Sequence, residues 1–164
     1  MAYKFTTKVE GLGELQKRLL MLPFALQQKG ARTAARKAMN IVRNTAKATA
    51  RGFDDPETRE MVYKNMSTQY STRGSKAIGG VKMRVGVRGG ARFDKGVAGK
   101  ASSNPGGYTW YWRFLEWGTV NMRSPAPYWL TSALESNVSA VVATLSAELD
   151  AEITKAAANV STTV

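Results

Sequence analysis

The sequence predicts an α+β fold in which a small antiparallel sheet packs against a long basic N-terminal helix and a long C-terminal helix. Two of the observations are helical: apolar and small residues recur at helical spacing from Phe24 to Arg51 and again from Pro127 to Ala158. The third lies between them, where Val81, Met83, Val85 and Val87 alternate with Lys82, Arg84, Gly86 and Arg88. With 164 residues, 43% of them hydrophobic, the chain is long enough to bury one core without staples, so residues 1–164 read as a single domain.

The first element is a short strand over Lys4 to Val9, rich in aromatic and β-branched residues and broken by Gly11 and Gly13. A helix follows from about Glu14, with Leu15, Leu19, Leu20 and Leu22 on its apolar face, and Pro23 kinks it or starts the next. From Phe24 to Arg51 the helical signal is continuous. At 100° per residue Lys29, Arg32, Arg36, Arg43, Lys47 and Arg51 fall on one narrow stripe, with Asn40 in its gap. Ala31, Ala34, Ala38, Ile41, Val42, Thr45 and Thr49 fall on the other side, a small-residue face suited to close packing.

Gly52 ends that helix, and Asp54, Asp55 and Pro56 look like the cap of a short helix reaching about Lys64. Ser67 to Thr72 and Ala77 to Val87 then read as two strands joined by a turn at Arg73, Gly74 and Ser75. Residues 89–107 hold six of the fifteen glycines, with Arg92, Lys95 and Lys100 among them, and describe a flexible basic loop. The last helix carries Leu130, Leu134, Val138, Val141, Val142, Leu145, Leu149 and Ile153 at helical spacing, and its small polar end, about residues 159–164, is expected to fray.

Residues 108 to 129 contain all four tryptophans and three of the six tyrosines. Rings at 108, 110, 111, 112, 114 and 117 exceed what one side of a short helix can bury, so they either fill the core or face a partner. Gly118 and Thr119 stop the element, and Ser124, Pro125 and Pro127 enforce an extended passage before the next helix. For Glu116 two readings stand: a surface carboxylate near Arg113, or a core-anchoring or intersubunit contact.

Phe114, Leu115, Glu116, Trp117, Gly118 and Thr119, then Ser124, Pro125, Ala126, Pro127 and Tyr128, then a long helix, resemble the tail-completion or head-tail joining (neck) family of long-tailed, siphovirus-type bacteriophages. The family's form is aromatic, Val or Leu, Glu, aromatic, Gly, Thr, followed by a Pro-Ala-Arg-Pro-Phe-like connector. Here the prolines and the aromatic stand without the arginine between them. Val9, Glu10, Gly11, Leu12, Glu14 and Leu15 resemble the family's Val-x-Gly-Leu-x-x-Leu opening. The resemblance implies a structural virion protein that completes the tail and joins it to the head connector as a subunit of a closed ring, with six copies expected. Its implied partners are further copies of itself, the tail terminator or tail tube, and the head connector, with DNA in the lumen as another candidate. Its implied place is the virion neck, after assembly in the host cytoplasm. In that setting Trp110, Trp112, Phe114, Glu116, Trp117, Gly118 and Thr119 anchor the core or the neighbouring subunit. Pro125, Pro127 and Tyr128 set the angle between the motif and the C-terminal helix. Arg84, Arg88, Arg92, Lys95 and Lys100 touch DNA or an adjacent ring.

Composition narrows the alternatives. The chain has no histidine and no cysteine, which removes Ser-His-Asp and Cys-His catalysis, the usual zinc sites and any disulfide framework. The acidic cluster Asp54, Asp55, Glu57 and Glu60 reads as capping and solvation, and the glycine motifs fit no nucleotide fingerprint, so neither an enzyme, a metal nor a cofactor is expected. No apolar run approaches the roughly 20 residues that span a bilayer, so no membrane is expected as a partner. The net charge of +12 is uneven: residues 1–100 hold 21 basic against 7 acidic residues, and residues 101–164 hold 3 against 5. A basic stripe is commonly a solvated helix face, but it also suits phosphate or an acidic protein, so a sequence-nonspecific nucleic-acid-binding protein is the competing reading.

Overall fold

The computed structural model describes residues 12–21, 24–52, 60–88, 104–121, 124 and 127–161. Along them run α1 (Leu12–Leu20), α2 (Phe24–Arg51), α3 (Val62–Asn65), β1 (Met66–Tyr70), α4 (Thr72–Ile78), β2 (Met83–Val87), α5 (Trp112–Trp117), α6 (Trp129–Glu135) and α7 (Val138–Ser161). The architecture is α+β as expected, with α2 at its centre, packed along α7 and against both strands of an antiparallel pair.

Helix α2 owes this position to its small residues. Gly30, Ala34, Ala38, Val42, Ala46 and Ala50 are all buried, a row at every fourth residue. Such a row lets a second helix approach closely along its ridge. At Gly30 a Cβ would lie 3.3 Å from the Cβ of Glu152 on α7. Because the row advances by four, the buried line passes through Ala46 and Ala50, and Thr49, expected on the inner face, is exposed. The lower half of the row joins Val62, Met66, Trp129 and Ala133 in the main core. Burying a side chain such as Val42 contributes about 1.5–3 kcal/mol.

The strands pair Met66 with Val87, Thr68 with Val85 and Tyr70 with Met83, while Ser67 faces Gly86 and Gln69 faces Arg84. Val85 and Val87 pack on the core, and Arg84 and Gln69 are exposed, as the alternation requires. The Thr68 hydroxyl donates to Asn40 Oδ1 at 2.9 Å, so the gap in the basic stripe faces the sheet.

Several boundaries differ from the sequence reading. The expected turn at Arg73, Gly74 and Ser75, and the start of a strand at Ala77, are replaced by α4. Ser71 caps that helix by accepting from Gly74 N, and Gly79 closes it in the left-handed conformation (φ 63°). The C-terminal helix is two helices, beginning at Trp129 rather than Pro127. They part at Ser136 and Asn137, where the Asn137 amide donates to Ala133 O at 2.9 Å and to Thr45 Oγ1 on α2 at 3.2 Å. Helix α7 continues to Ser161, past the expected fraying point, and the rest of that tail lies outside the described residues. The motif helix begins at Trp112, with Tyr108 to Tyr111 irregular. The strand at Lys4 to Val9 and the start of the short helix at Pro56 lie outside the described residues, as does most of the 89–107 loop.

The end of that loop is fixed in place. Gly106 is buried, and a Cβ on it would lie 2.0 Å from the Met61 carbonyl oxygen. Asn65 holds the segment: its Oδ1 accepts from Gly106 N at 2.8 Å, and its Nδ2 donates to Gly107 O and to Thr109 Oγ1, both at 2.9 Å. These bonds carry the chain from the sheet into the aromatic motif.

Candidate functional site: the aromatic motif and the basic face

Within the motif the inward group is a carboxylate. Glu116, at 2% exposure, accepts from Leu130 N at 2.8 Å, Thr131 N at 3.2 Å and Thr131 Oγ1 at 2.9 Å. It thereby satisfies amides that the first turn of α6 leaves unpaired, from another helix rather than from a local cap. Its own carbonyl accepts from Tyr128 N at 2.8 Å, and the Ser124 hydroxyl donates to the Leu115 carbonyl. Gly118 stands at φ 73°, ψ −173°, a region essentially limited to glycine, and Tyr128 at φ 58° is the one positive-φ residue other than glycine among those described. Of the two readings of Glu116, the structure places it in the core, joining α5 to α6.

The rings divide around that carboxylate. Trp129 is buried, Trp112 packs on the core with its Nε1 unpaired among the described residues, and Trp110 meets Phe114 edge-on at 5.5 Å. Phe114 (38%), Trp117 (57%), Val120 (103%) and Tyr128 (57%) are exposed. The expected anchors are thus of two kinds: Trp112 and Glu116 hold the core, while Phe114, Trp117 and Tyr128 face solvent. Gly118 shapes the turn, Thr119 and Pro127 are exposed, and Pro125 lies outside the described residues.

The basic stripe is not uniformly solvated. The Arg32 guanidinium lies 4.0 Å from the centre of the Tyr70 ring and that of Arg51 lies 5.2 Å from Tyr63. Arg43 donates to Asn44, Lys47 is half-buried, and Lys29 and Arg36 are exposed. Arg84 and Arg88 are exposed at the sheet, and Arg92, Lys95 and Lys100 lie outside the described residues. Helix α2 carries seven basic residues and residues 66–88 carry five, and neither segment contains an aspartate or glutamate. Those twelve equal the net charge of the whole chain. Of the twelve, Lys37 alone makes a salt bridge among the described residues, to Glu148 at 2.6 Å, and this bond holds its pKa above the ordinary value. The Tyr70 hydroxyl is held below the ordinary tyrosine value, first by hydrogen bonding with Ser75, then by Arg32 and the charge of Lys76, against the opposing effect of desolvation.

Comparison with protein-family models, with curated proteins and with solved structures finds no match. Among the described residues there is no group of three acidic, histidine or cysteine side chains able to hold a metal ion, and no helix is long and apolar enough to cross a membrane.

Sequence reading did not find Asn65, Thr109 or Thr131. A polar residue outside any motif gives no local sign of the partner that folding brings to it.

Proposed function

We propose that this chain is a structural virion protein of a tailed bacteriophage, a ring subunit that completes the tail and joins it to the head connector. The observation that carries the reading is the division of the motif: Glu116 is locked inside while Phe114, Trp117, Val120 and Tyr128 stand outside. Exposed aromatic residues on a rigid support suit a subunit interface, since aromatic anchors carry much of the binding energy of such contacts. The order of motifs along the chain, which resembles that of the tail-completion family, supplies the biological setting. Ring closure requires a head-to-tail contact, so loss of the aromatic edge should leave folded but separate subunits. Sedimentation of the purified chain beside its Trp117→Ser variant tests this. A ring-sized species lost in the variant supports the reading, and a wild type that stays monomeric at high concentration, or an assembly insensitive to Trp117, counts against it.

The acid-free basic segments favour a second reading, sequence-nonspecific nucleic-acid binding. Such binding would weaken steeply with salt.

A further inference from the structure

Where α2 passes the end of β1, Arg32, Tyr70, Thr72, Ser75 and Lys76 line a depression of about 470 Å³. Two of these side chains are cations and three carry hydroxyls. Arg32 is held in place by its 4.0 Å stack on the Tyr70 ring. Ser75 is buried, with its Oγ fixed by accepting from Lys82 N at 2.8 Å. Lys76 and Thr72 are exposed at the mouth. Neither Arg32 nor Lys76 has a salt-bridge partner among the described residues. No carboxylate lies in the elements that form the depression, and Glu148, Asp150 and Glu152 of α7 pair with Lys37, Arg18 and Lys155.

We infer that this depression binds phosphate, and that the phosphate belongs to a nucleic-acid backbone. A planar guanidinium, a mobile ammonium and a free hydroxyl donor such as the exposed Thr72 are the groups that take a phosphate oxyanion, while the Ser75 hydroxyl is engaged with Tyr70 and Lys82 N. Arg32 covers a face of the Tyr70 ring, which disfavours base stacking and leaves backbone recognition as the use of the site. An acidic protein would also be attracted, but a protein interface normally has an apolar centre, whereas nucleic-acid interfaces are polar and strongly positive. Among the large apolar side chains exposed in the described residues, Ile78 is the one that belongs to residues 66–88, and none belongs to α2. The positive charge continues beyond the depression through Arg36 and Lys29 on α2 and Arg73 on α4, so a polyanion passing across it meets cations on both sides.

The inference gives the nucleic-acid reading a particular site and does not depend on a role in tail assembly. Its test is binding of the full chain to a fluorescent 20-base-pair duplex of mixed sequence, followed by anisotropy over a range of salt concentrations. The double variant Arg32→Gln, Lys76→Gln is compared with Lys17→Gln, which removes a charge from α1. Each lost phosphate contact should flatten the plot of log affinity against log salt by about 0.9. The double variant should therefore flatten it by about 1.8, weaken binding to all sequences alike, and melt at the wild-type temperature, while Lys17→Gln leaves the slope unchanged. Lys76→Gln alone, at an exposed position, should give half the change and serves if the double variant is unstable. Duplex binding with the wild-type slope in both variants overturns the site and leaves nucleic-acid binding standing. No duplex binding by the wild type at low salt, or binding to polyglutamate in its place, overturns both.

Discussion

Glu116 and Thr131 are joined by two hydrogen bonds, from the threonine's amide at 3.2 Å and its hydroxyl at 2.9 Å, to one buried carboxylate oxygen. The other oxygen takes Leu130 N at 2.8 Å, so the whole carboxylate is spent on the first turn of α6. In this chain the Glu116 carboxylate therefore ties α5 to the first turn of α6.

Removing the carboxylate leaves three donors without their acceptor. Glu116→Ala should destabilise the fold by about 2–4 kcal/mol, the range for stranding buried donors and losing a cap together. Urea unfolding followed by far-UV circular dichroism measures it. A loss below about 0.5 kcal/mol would show that water replaces the carboxylate without penalty.

Gly118 and Tyr128 bracket the turn with opposite expectations. Gly118→Ala forces a side chain into a backbone region that only glycine occupies readily, at a cost of about 1–3 kcal/mol. Tyr128→Asn should be neutral or stabilising by several tenths of a kcal/mol, because asparagine tolerates the left-handed conformation and the tyrosine ring is more than half exposed. If Tyr128 serves an interface, the same variant should weaken self-association while keeping its melting temperature.

Phe114→Ser and Trp117→Ser should separate folding from assembly. Both residues are exposed, so each variant should unfold within about 0.5–1 kcal/mol of wild type, yet sediment as a smaller species. A large loss of stability instead would mark these rings as parts of the core.

Along α2, Ala38→Leu places a branched side chain at a position with 0% exposure. Overpacking there should cost about 1–3 kcal/mol, measured by thermal melting, whereas Lys29→Leu on the exposed stripe should change stability little.

The Tyr70 hydroxyl provides a pH signature. Its folded pKa lies below the ordinary value of 10.0, so the folded state releases this proton more readily than the unfolded state. Stability from this group is therefore absent at neutral pH, grows as pH rises through the folded value, and is complete above the unfolded one. Phenolate absorbance should show a tyrosine titrating early, missing in Tyr70→Phe and moved upward in Arg32→Gln.

How much of this was legible differs from element to element. Helix α2 has the expected bounds because a periodic pattern sustained over 28 residues outweighs local ambiguity. The seven residues of α4 carry no clear period and read as a strand end, a turn and a strand start, whereas the Ser71 cap and the left-handed Gly79 make them a helix. The break between α6 and α7 depends on Asn137 reaching Thr45, 92 positions earlier, which no local pattern encodes. Glu116 stood out within its motif, but whether it faced inward depended on Leu130 and Thr131, beyond the proline connector.

The proposal that this chain joins tails to heads is tested most directly by electron microscopy of the lysate of a phage that carries its gene, with that gene silenced. The account predicts filled heads beside free, full-length tails. Joined, normal virions in that lysate would contradict it.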